Sequence, residues 1–494
     1  MDGTEGDDDC GMAMTTVRDL LRILPHEAFT GPASAARRAV RGCSTDSRSL
    51  KKGEVFIALT GERFDGHDFI EAAAAKGAAV AVVSGEWFRR GSHLQNLPPM
   101  IVVEDTLAAY GRIATAHRSA FQYPVIAVAG SNGKTTTKEL IADVLATRYD
   151  VLRTEGNLNN LIGVPAMMLR MAAHHTAAVI EIGTNAPGEI ARLCGILRPT
   201  HGIITNIGRE HLELLGSVEG VAREEGALFD YLAANGGTAF VNLDDPHIAR
   251  MGRRLERRIT YGRAPRADVA GKKGRLNEAG APSLEITDRR GGRERSFVLQ
   301  LRTPGEHTAQ NALAAAAVGL GMRIPPVRVK KVLEQFEPHI YKGGYARLAV
   351  MKAANGATVL NDTYNSNPDS TLAALQALRA LRPGRGGRRI ALLADMKELG
   401  ASSATEHAGV GRELAGMPKI DLAIFHGAEM RHAYEAMMAL APQRALYFDD
   451  RRRLLDELCD MVTPADAILV KGSRGMKMEE IVLRLLCSET DPAW

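Results

Sequence analysis

The sequence lacks any apolar run of the roughly 18–20 residues that spans a bilayer as a helix, so no segment reads as a membrane span. Cysteine is sparse, at five: Cys10, Cys43, Cys194, Cys459 and Cys487. The number is odd, and no CxxC pair or Cys/His cluster with zinc spacing occurs. A reduced cytoplasmic setting is expected rather than a disulfide framework. Net charge is small as well. Lys and Arg number 62 against 58 Asp and Glu, leaving +4 over 494 residues, which argues against broad electrostatic binding to nucleic acid. The N-terminus, Asp2 to Asp9, is acidic, the wrong charge to open a secretory signal. Residues 1–14 read as a disordered tail.

What is present is average for a globular chain: 45% apolar and 24% charged residues. At roughly 100–200 residues per domain, about three domains are expected, with boundaries at 15–122, 123–337 and 338–494. The first block has apolar strand candidates at Val55–Leu59 and Ala79–Val83, a helix at Phe69–Lys76 between them, and a loop at Gly91–Pro99. The second opens with Val125–Ala129, an uninterrupted apolar run closed by Gly130, which reads as a buried parallel strand. A helix over Lys134–Thr147 follows, then strands at Ala177–Ile182, Gly202–Asn206 and Thr238–Asn242. Gly262–Ser296, rich in Gly and Arg, reads as hairpins and loops. The third block alternates strands at Thr358–Leu360, Ile390–Leu393, Leu422–Phe425 and Ala467–Val470 with helices. This alternation predicts an α/β protein: a small α/β N-terminal domain, a doubly wound parallel sheet in the centre and a Rossmann-like C-terminal domain. The arginine runs at 252–258, 384–389 and 451–453 read as solvated faces.

The most specific local signal is Gly130-Ser131-Asn132-Gly133-Lys134-Thr135-Thr136, which follows a strand and opens a helix. Backbone N–H groups there can face phosphate oxygens, aided by the helix dipole. Lys134 would reach the β- and γ-phosphates, and a Thr135 or Thr136 hydroxyl would sit on Mg²⁺. Val128 stands where the strict G-x-x-x-x-G-K-[ST] pattern has its first glycine. The loop predicts ATP and Mg²⁺ binding, and by itself does not separate a switch, a kinase, an ATPase or a ligase.

Several further motifs occur in order. They are Thr45-Asp46-Ser47-Arg48, Phe64-Asp65-Gly66-His67, Asn157-Leu158-Asn159-Asn160 with Gly163-Val164-Pro165, and Glu181 at a strand end. Thr205 to His211 and Gly305 to Asn311 follow, then Arg347, Asp362 to Pro368, Met396 with Glu398-Leu399-Gly400 and His407, and Lys471 to Gly475. With the phosphate loop they resemble the Mur ligases, and among these the MurF type, over about Thr45 to Glu479. The Asp-Asn-Pro-Arg expected of the diaminopimelate-adding relative is missing.

The resemblance implies an ATP-dependent amide ligase that joins D-alanyl-D-alanine to a UDP-N-acetylmuramoyl-tripeptide through an acyl phosphate, in peptidoglycan precursor synthesis, acting as a monomer. It implies catalytic roles for Lys134, Glu181, His211 and Arg347. Nucleotide contacts fall to Gly130, Ser131, Asn132, Gly133, Lys134, Thr135, Thr136, His307, Asn311, Arg347 and Asp362. It places substrate contacts at Ser47, Arg48, Asp65, Gly66, His67, Asn157, Asn159, Asn160, Asn365, Asn367, Ser473 and Arg474. Metal ligation falls to Thr135, Glu181, His211 and Glu225. The rival readings are another Mur ligase, a folylpolyglutamate-synthase-like ligase, a phosphate-loop ATPase without ligase activity, and a nucleotide-binding protein that has lost catalysis.

One departure stands out. Members of the family carry a lysine, carbamylated by CO₂, shortly before a Leu-Phe or similar pair, and the carbamate helps hold Mg²⁺. Here the segment is Ala222-Arg223-Glu224-Glu225-Gly226-Ala227-Leu228-Phe229, with Glu225 at the matching position and no lysine between Lys138 and Lys272. Two readings stay open: the Glu225 carboxylate replaces the carbamate, or it faces solvent. Either way the activity is expected not to need bicarbonate.

Overall fold

The structure, a computed structural model, describes residues 14–61, 64–91, 97–277 and 280–487. The tail assigned to 1–14 lies outside the described residues save for Met14, which is buried with Val17 and Leu20 in an apolar cluster. The middle of the Gly91–Pro99 loop also lies outside them.

The chain divides into two compact units: Met1–Ala127 with Tyr149–Gly183 and Gly188–His201, and Val128–Arg148 with Thr184–Pro187 and Gly202–Trp494. The first unit contains β1 (Ala28–Phe29), β2 (Gly42–Ser44), β3 (Glu54–Ile57), β4 (Val80–Ser84) and β5 (Met100–Val103). They form a sheet in the order β1-β5-β4-β3-β2, parallel except for β1. β4 and β5 read as near-continuous apolar runs because both faces are covered. Val80 and Val82 of β4 point into one buried cluster, Ala81 and Val83 into another. The expected helix at Phe69–Lys76 is a 3₁₀ turn over Gly66–Phe69 followed by a helix over Ile70–Ala75. β7 (Val151–Arg153) and β8 (Ala177–Glu181) also belong to this unit and pair in parallel.

Two strands, β6 (Val125–Ala129) and β9 (His201–Ile204), contribute residues to both units. The second unit continues from β9 through β10 (Thr238–Asn242), β11 (Arg258–Gly262), β12 (Val269–Leu276), β13 (Pro282–Asp288) and β14 (Arg295–Gln300), neighbours in that order. The segment rich in Gly and Arg forms the antiparallel β12-β13-β14 meander. The same unit holds a third sheet made of β15 (Ala349–Lys352), β16 (Thr358–Asp362), β17 (Arg389–Ala394), β18 (Leu422–His426), β19 (Ala445–Phe448) and β20 (Ala467–Lys471), ordered β15-β16-β20-β17-β18-β19. Only β15 runs antiparallel. Alternate residues of β17 again enter opposite cores, Ile390 and Leu392 on one side and Ala391 and Leu393 on the other.

In open parallel α/β sheets, ligands bind beyond the carboxyl ends of the strands. In the second unit those ends are Gly130 after β6, Thr205–His211 after β9, Thr363–Asn367 after β16, Asp395–Glu398 after β17 and Gly472–Arg474 after β20.

Candidate active site

The phosphate loop bends out of β6 at Gly130, whose φ is +111°. A Cβ there would sit 2.4 Å from Thr205 Oγ1, so only glycine fits. The first three N–H groups of the loop are turned inward. Gly130 donates to Glu225 Oε2 (2.8 Å), Ser131 to the Asn206 carbonyl (2.9 Å) and Asn132 to Asn206 Oδ1 (3.0 Å). Thr205 Oγ1 and Asn206 Nδ2 both donate to the Asn132 carbonyl, at 2.7 and 2.8 Å. The chain then turns at Gly133 (φ +79°) into the helix Lys134–Ala146, which no side chain caps. The first turn of a helix has no internal partner for its N–H groups. The donors left for an anion are therefore those beginning at Gly133, rather than all seven residues of the motif. Gly130, Ser131 and Asn132 shape the cradle with their backbone and do not offer N–H groups to it.

Lys134 Nζ lies 2.5 Å from the Gly130 carbonyl, 3.3 Å from the Ser131 carbonyl and 3.3 Å from Glu210 Oε2. Thr135 Oγ1 is buried without a hydrogen-bond partner. Asn311 abuts the loop: a Cβ on Gly133 would lie 2.6 Å from its Oδ1. Asn311 and His307 share the helix Glu306–Gly321. Burial pushes the His307 pKa down to about 4, against the pull of Asp362. The ring is thus neutral at physiological pH, and its Nε2 has no partner.

The third sheet presents its own strand ends to the loop. Asn367 caps the helix Pro368–Ala380 and donates from Nδ2 to Asn132 Oδ1 at 3.0 Å. Asp369 takes the Arg209 backbone N–H (2.7 Å) and its guanidinium (2.6 and 2.9 Å). Arg209 also reaches Glu406 at 2.8 Å. His211 Nδ1 stands 2.7 Å from Glu398 Oε2. Asp362 pairs with Lys471 Nζ at 2.6 Å, and that amine also donates to the Asn365 carbonyl. Burial lowers the Lys471 pKa and the Asp362 charge opposes that shift. The Arg347 guanidinium lies 4.0 Å over the Tyr364 ring, and Arg474 lies over Tyr345 while pairing with Glu479.

Several of the motif residues brace the fold. Ser473 Oγ donates to the Ser366 carbonyl and accepts the Lys397 N–H. His407 is buried, with Nε2 accepting the Met396 N–H and Nδ1 on the Ser403 carbonyl. In the first unit His67 is 1% exposed. Its Nε2 accepts the Ser84 N–H and its Nδ1 meets Asp65, so the side chain has no nitrogen left for a ligand. Asn160 caps the turn into the helix Gly163–Met168. Arg48 is exposed and folds back on Asp46, and Ser47 is buried. Gly66 packs so closely on Leu59 that a Cβ would lie 2.7 Å from its backbone nitrogen. Asn157 is exposed, its carbonyl taken by the Asn159 N–H. Asn159 donates to Glu181 Oε1 at 2.9 Å, while Glu181 Oε2 is buried without a partner. Sequence reasoning missed Thr205 and Asn206 as organisers of the loop. Their only signal was proximity to the strand before His211.

Three family descriptions match the chain in order. "Mur ligase family, catalytic domain" covers residues 39–118, "Mur ligase middle domain" 128–319, and "Mur ligase, glutamate ligase domain" 346–474. The UDP-N-acetylmuramoyl-tripeptide–D-alanyl-D-alanine ligase of Bacillus subtilis (strain 168) is 34% identical over 448 residues, 90% of this chain and 93% of the relative. The chain belongs to the Mur ligase family.

A second relative of the same name, from Escherichia coli (strain K12), is 34% identical over 485 residues, covering 96% of this Mur ligase and 99% of the relative. The crystal structure of MurF from Acinetobacter baumannii superposes with a TM-score of 0.83 at 30% identity, covering 96% of this chain and 98% of the other. Among the described residues of this Mur ligase, no helix is long and apolar enough to cross a membrane.

Proposed function

We propose that this Mur ligase uses ATP to join D-alanyl-D-alanine to the terminal carboxylate of a UDP-N-acetylmuramoyl-tripeptide, in the cytoplasm. The names of its relatives support the substrates. The observation that carries the chemistry is the loop itself: its first three N–H groups are anchored inward, leaving an uncapped helix start with Lys134 beside it. Such a cradle fits the terminal phosphates of a nucleotide.

Two anions must meet for a peptide carboxylate to attack ATP. Lys134 lowers that repulsion, and Arg347, in the bend before β15, suits the charge that develops on the transferred phosphoryl group. The carboxylate oxygen bonds to the γ-phosphorus, and the β–γ bridging oxygen leaves with ADP. The amine nitrogen of the dipeptide then bonds to the acyl carbon, loses a proton to solvent, and phosphate departs with the carboxylate oxygen. The partnerless oxygen of Thr135 suits a hard divalent cation, and His211 is a softer candidate. Mg²⁺ so held would neutralise phosphate charge. His307 and Asn311 would line the nucleotide side, and Asp362 would act through its pairing with Lys471.

Phosphate release from ATP, measured with the UDP-tripeptide and a panel of amines, tests the assignment. Release is expected to depend on D-alanyl-D-alanine. Dependence on a single amino acid or glutamate, or release without any amine, would replace it with one of the rival readings.

A further inference from the structure

Glu225 is 0% exposed, in the middle of the helix Val218–Ala234. Its Oε2 accepts the Gly130 N–H at 2.8 Å. That bond spans 95 residues of sequence and ties the helix to the point where the chain leaves β6. The carbonyl of the same glycine accepts Lys134 Nζ. Gly130 therefore has its nitrogen fixed by Glu225 and its oxygen against the catalytic cation, and a shift of this residue carries Lys134 with it. The neighbouring Ser131 and Asn132 N–H groups are held by Asn206, so Glu225 completes a row of three inward anchors.

We propose that Glu225 is a positioning residue that orients the phosphate loop by accepting the Gly130 N–H, and that it serves as a hydrogen-bond acceptor rather than as a metal-binding substitute for the family's carbamate. Glutamine keeps this acceptor, because its amide oxygen can take the same N–H. Leaving a buried backbone donor unsatisfied is unfavourable, and the loop that would move is the one that grips the nucleotide.

This role presupposes that the loop takes a nucleotide, so ADP affinity is measured first without any divalent cation, in EDTA, on the full-length protein. Wild type is compared with Glu225→Met, which fills the volume and accepts nothing, and with Glu225→Gln, which keeps the acceptor. Thermal unfolding checks that each is folded. The expected result is Mg-free ADP affinity weakened about 10-fold or more in Glu225→Met and recovered to within about threefold of wild type in Glu225→Gln. With Mg²⁺ present, Glu225→Met should raise the KM for ATP more than it lowers kcat. Unchanged ADP affinity in Glu225→Met overturns the proposal. If that variant does not fold, Glu225→Gln decides alone: binding ADP normally in EDTA but losing turnover with Mg²⁺ marks Glu225 as a metal ligand and overturns it too. A wild-type protein that takes up no ADP would instead refute the nucleotide reading of the loop.

Discussion

His211 and Glu398 face each other with Nδ1 and Oε2 2.7 Å apart, and both adopt left-handed backbone conformations, with φ of +48° and +65°. Two non-glycine residues in this region, in contact, indicate backbone strain held by surrounding structure. The hydrogen bond from His211 lowers the Glu398 pKa, so the carboxylate stays charged. Leu399 is anchored in the core of the third sheet, and Gly400 packs on Glu213 just beyond His211. The Glu398-Leu399-Gly400 segment thus serves to orient the histidine.

The family resemblance implies metal ligation by His211, and removing a carboxylate that orients a metal-ligating histidine costs on the order of 10–100-fold in activity. Glu398→Ala should lower kcat/KM within that range, and Glu398→Gln, which keeps an acceptor, by less. In a His211→Ala background the Glu398→Ala change should cost little more, because the two act as one unit. Steady-state kinetics on the four proteins of this cycle checks the coupling.

Gly133→Ala places a methyl 2.6 Å from Asn311 Oδ1 on a residue with φ +79°. The left-handed conformation alone costs about 1–2 kcal/mol, and the methyl forces Asn311 and the loop apart. ADP affinity should fall sharply. The far-ultraviolet circular dichroism spectrum should stay native, since the helix that follows begins at Lys134 and keeps its own core.

Lys471 and Asp362 form a pair whose side chains are 2% and 10% exposed. Breaking a buried pair from one side leaves an uncompensated charge and costs about 3–5 kcal/mol, whereas replacing both partners with apolar groups is often close to neutral. Lys471→Met should destabilise the protein by that order in urea unfolding, and Lys471→Met with Asp362→Leu should regain much of the loss. The double variant should remain inactive if Asp362 serves the nucleotide as the family resemblance implies.

Much of this architecture was legible in the residues. Val125–Ala129 and Thr238–Asn242 match their strands end to end; the first is an unbroken apolar run, as a covered parallel strand should be, and the second has an apolar centre. β15 and β19 escaped notice because each mixes exposed with buried positions. The phosphate loop was legible as a motif, but its internal allocation of donors was not. The acceptors that take Gly130 and Asn132, from Glu225 and Asn206, lie 95 and 74 residues away in sequence. Polar residues at strand ends were the least readable. Ser473 and Asn160 look like ligand contacts in a motif, yet they brace backbone groups that strand ends and helix starts leave unpaired.

The central claim is that the Gly130–Thr136 loop presents ATP to a peptide carboxylate. Isotope transfer measures it most directly. With both terminal carboxylate oxygens of the UDP-tripeptide labelled with ¹⁸O, phosphate released during ligation to D-alanyl-D-alanine should carry one ¹⁸O, and Lys134→Ala should abolish both the label transfer and the ligation. Unlabelled phosphate accompanying amide product, or normal transfer in Lys134→Ala, would contradict it.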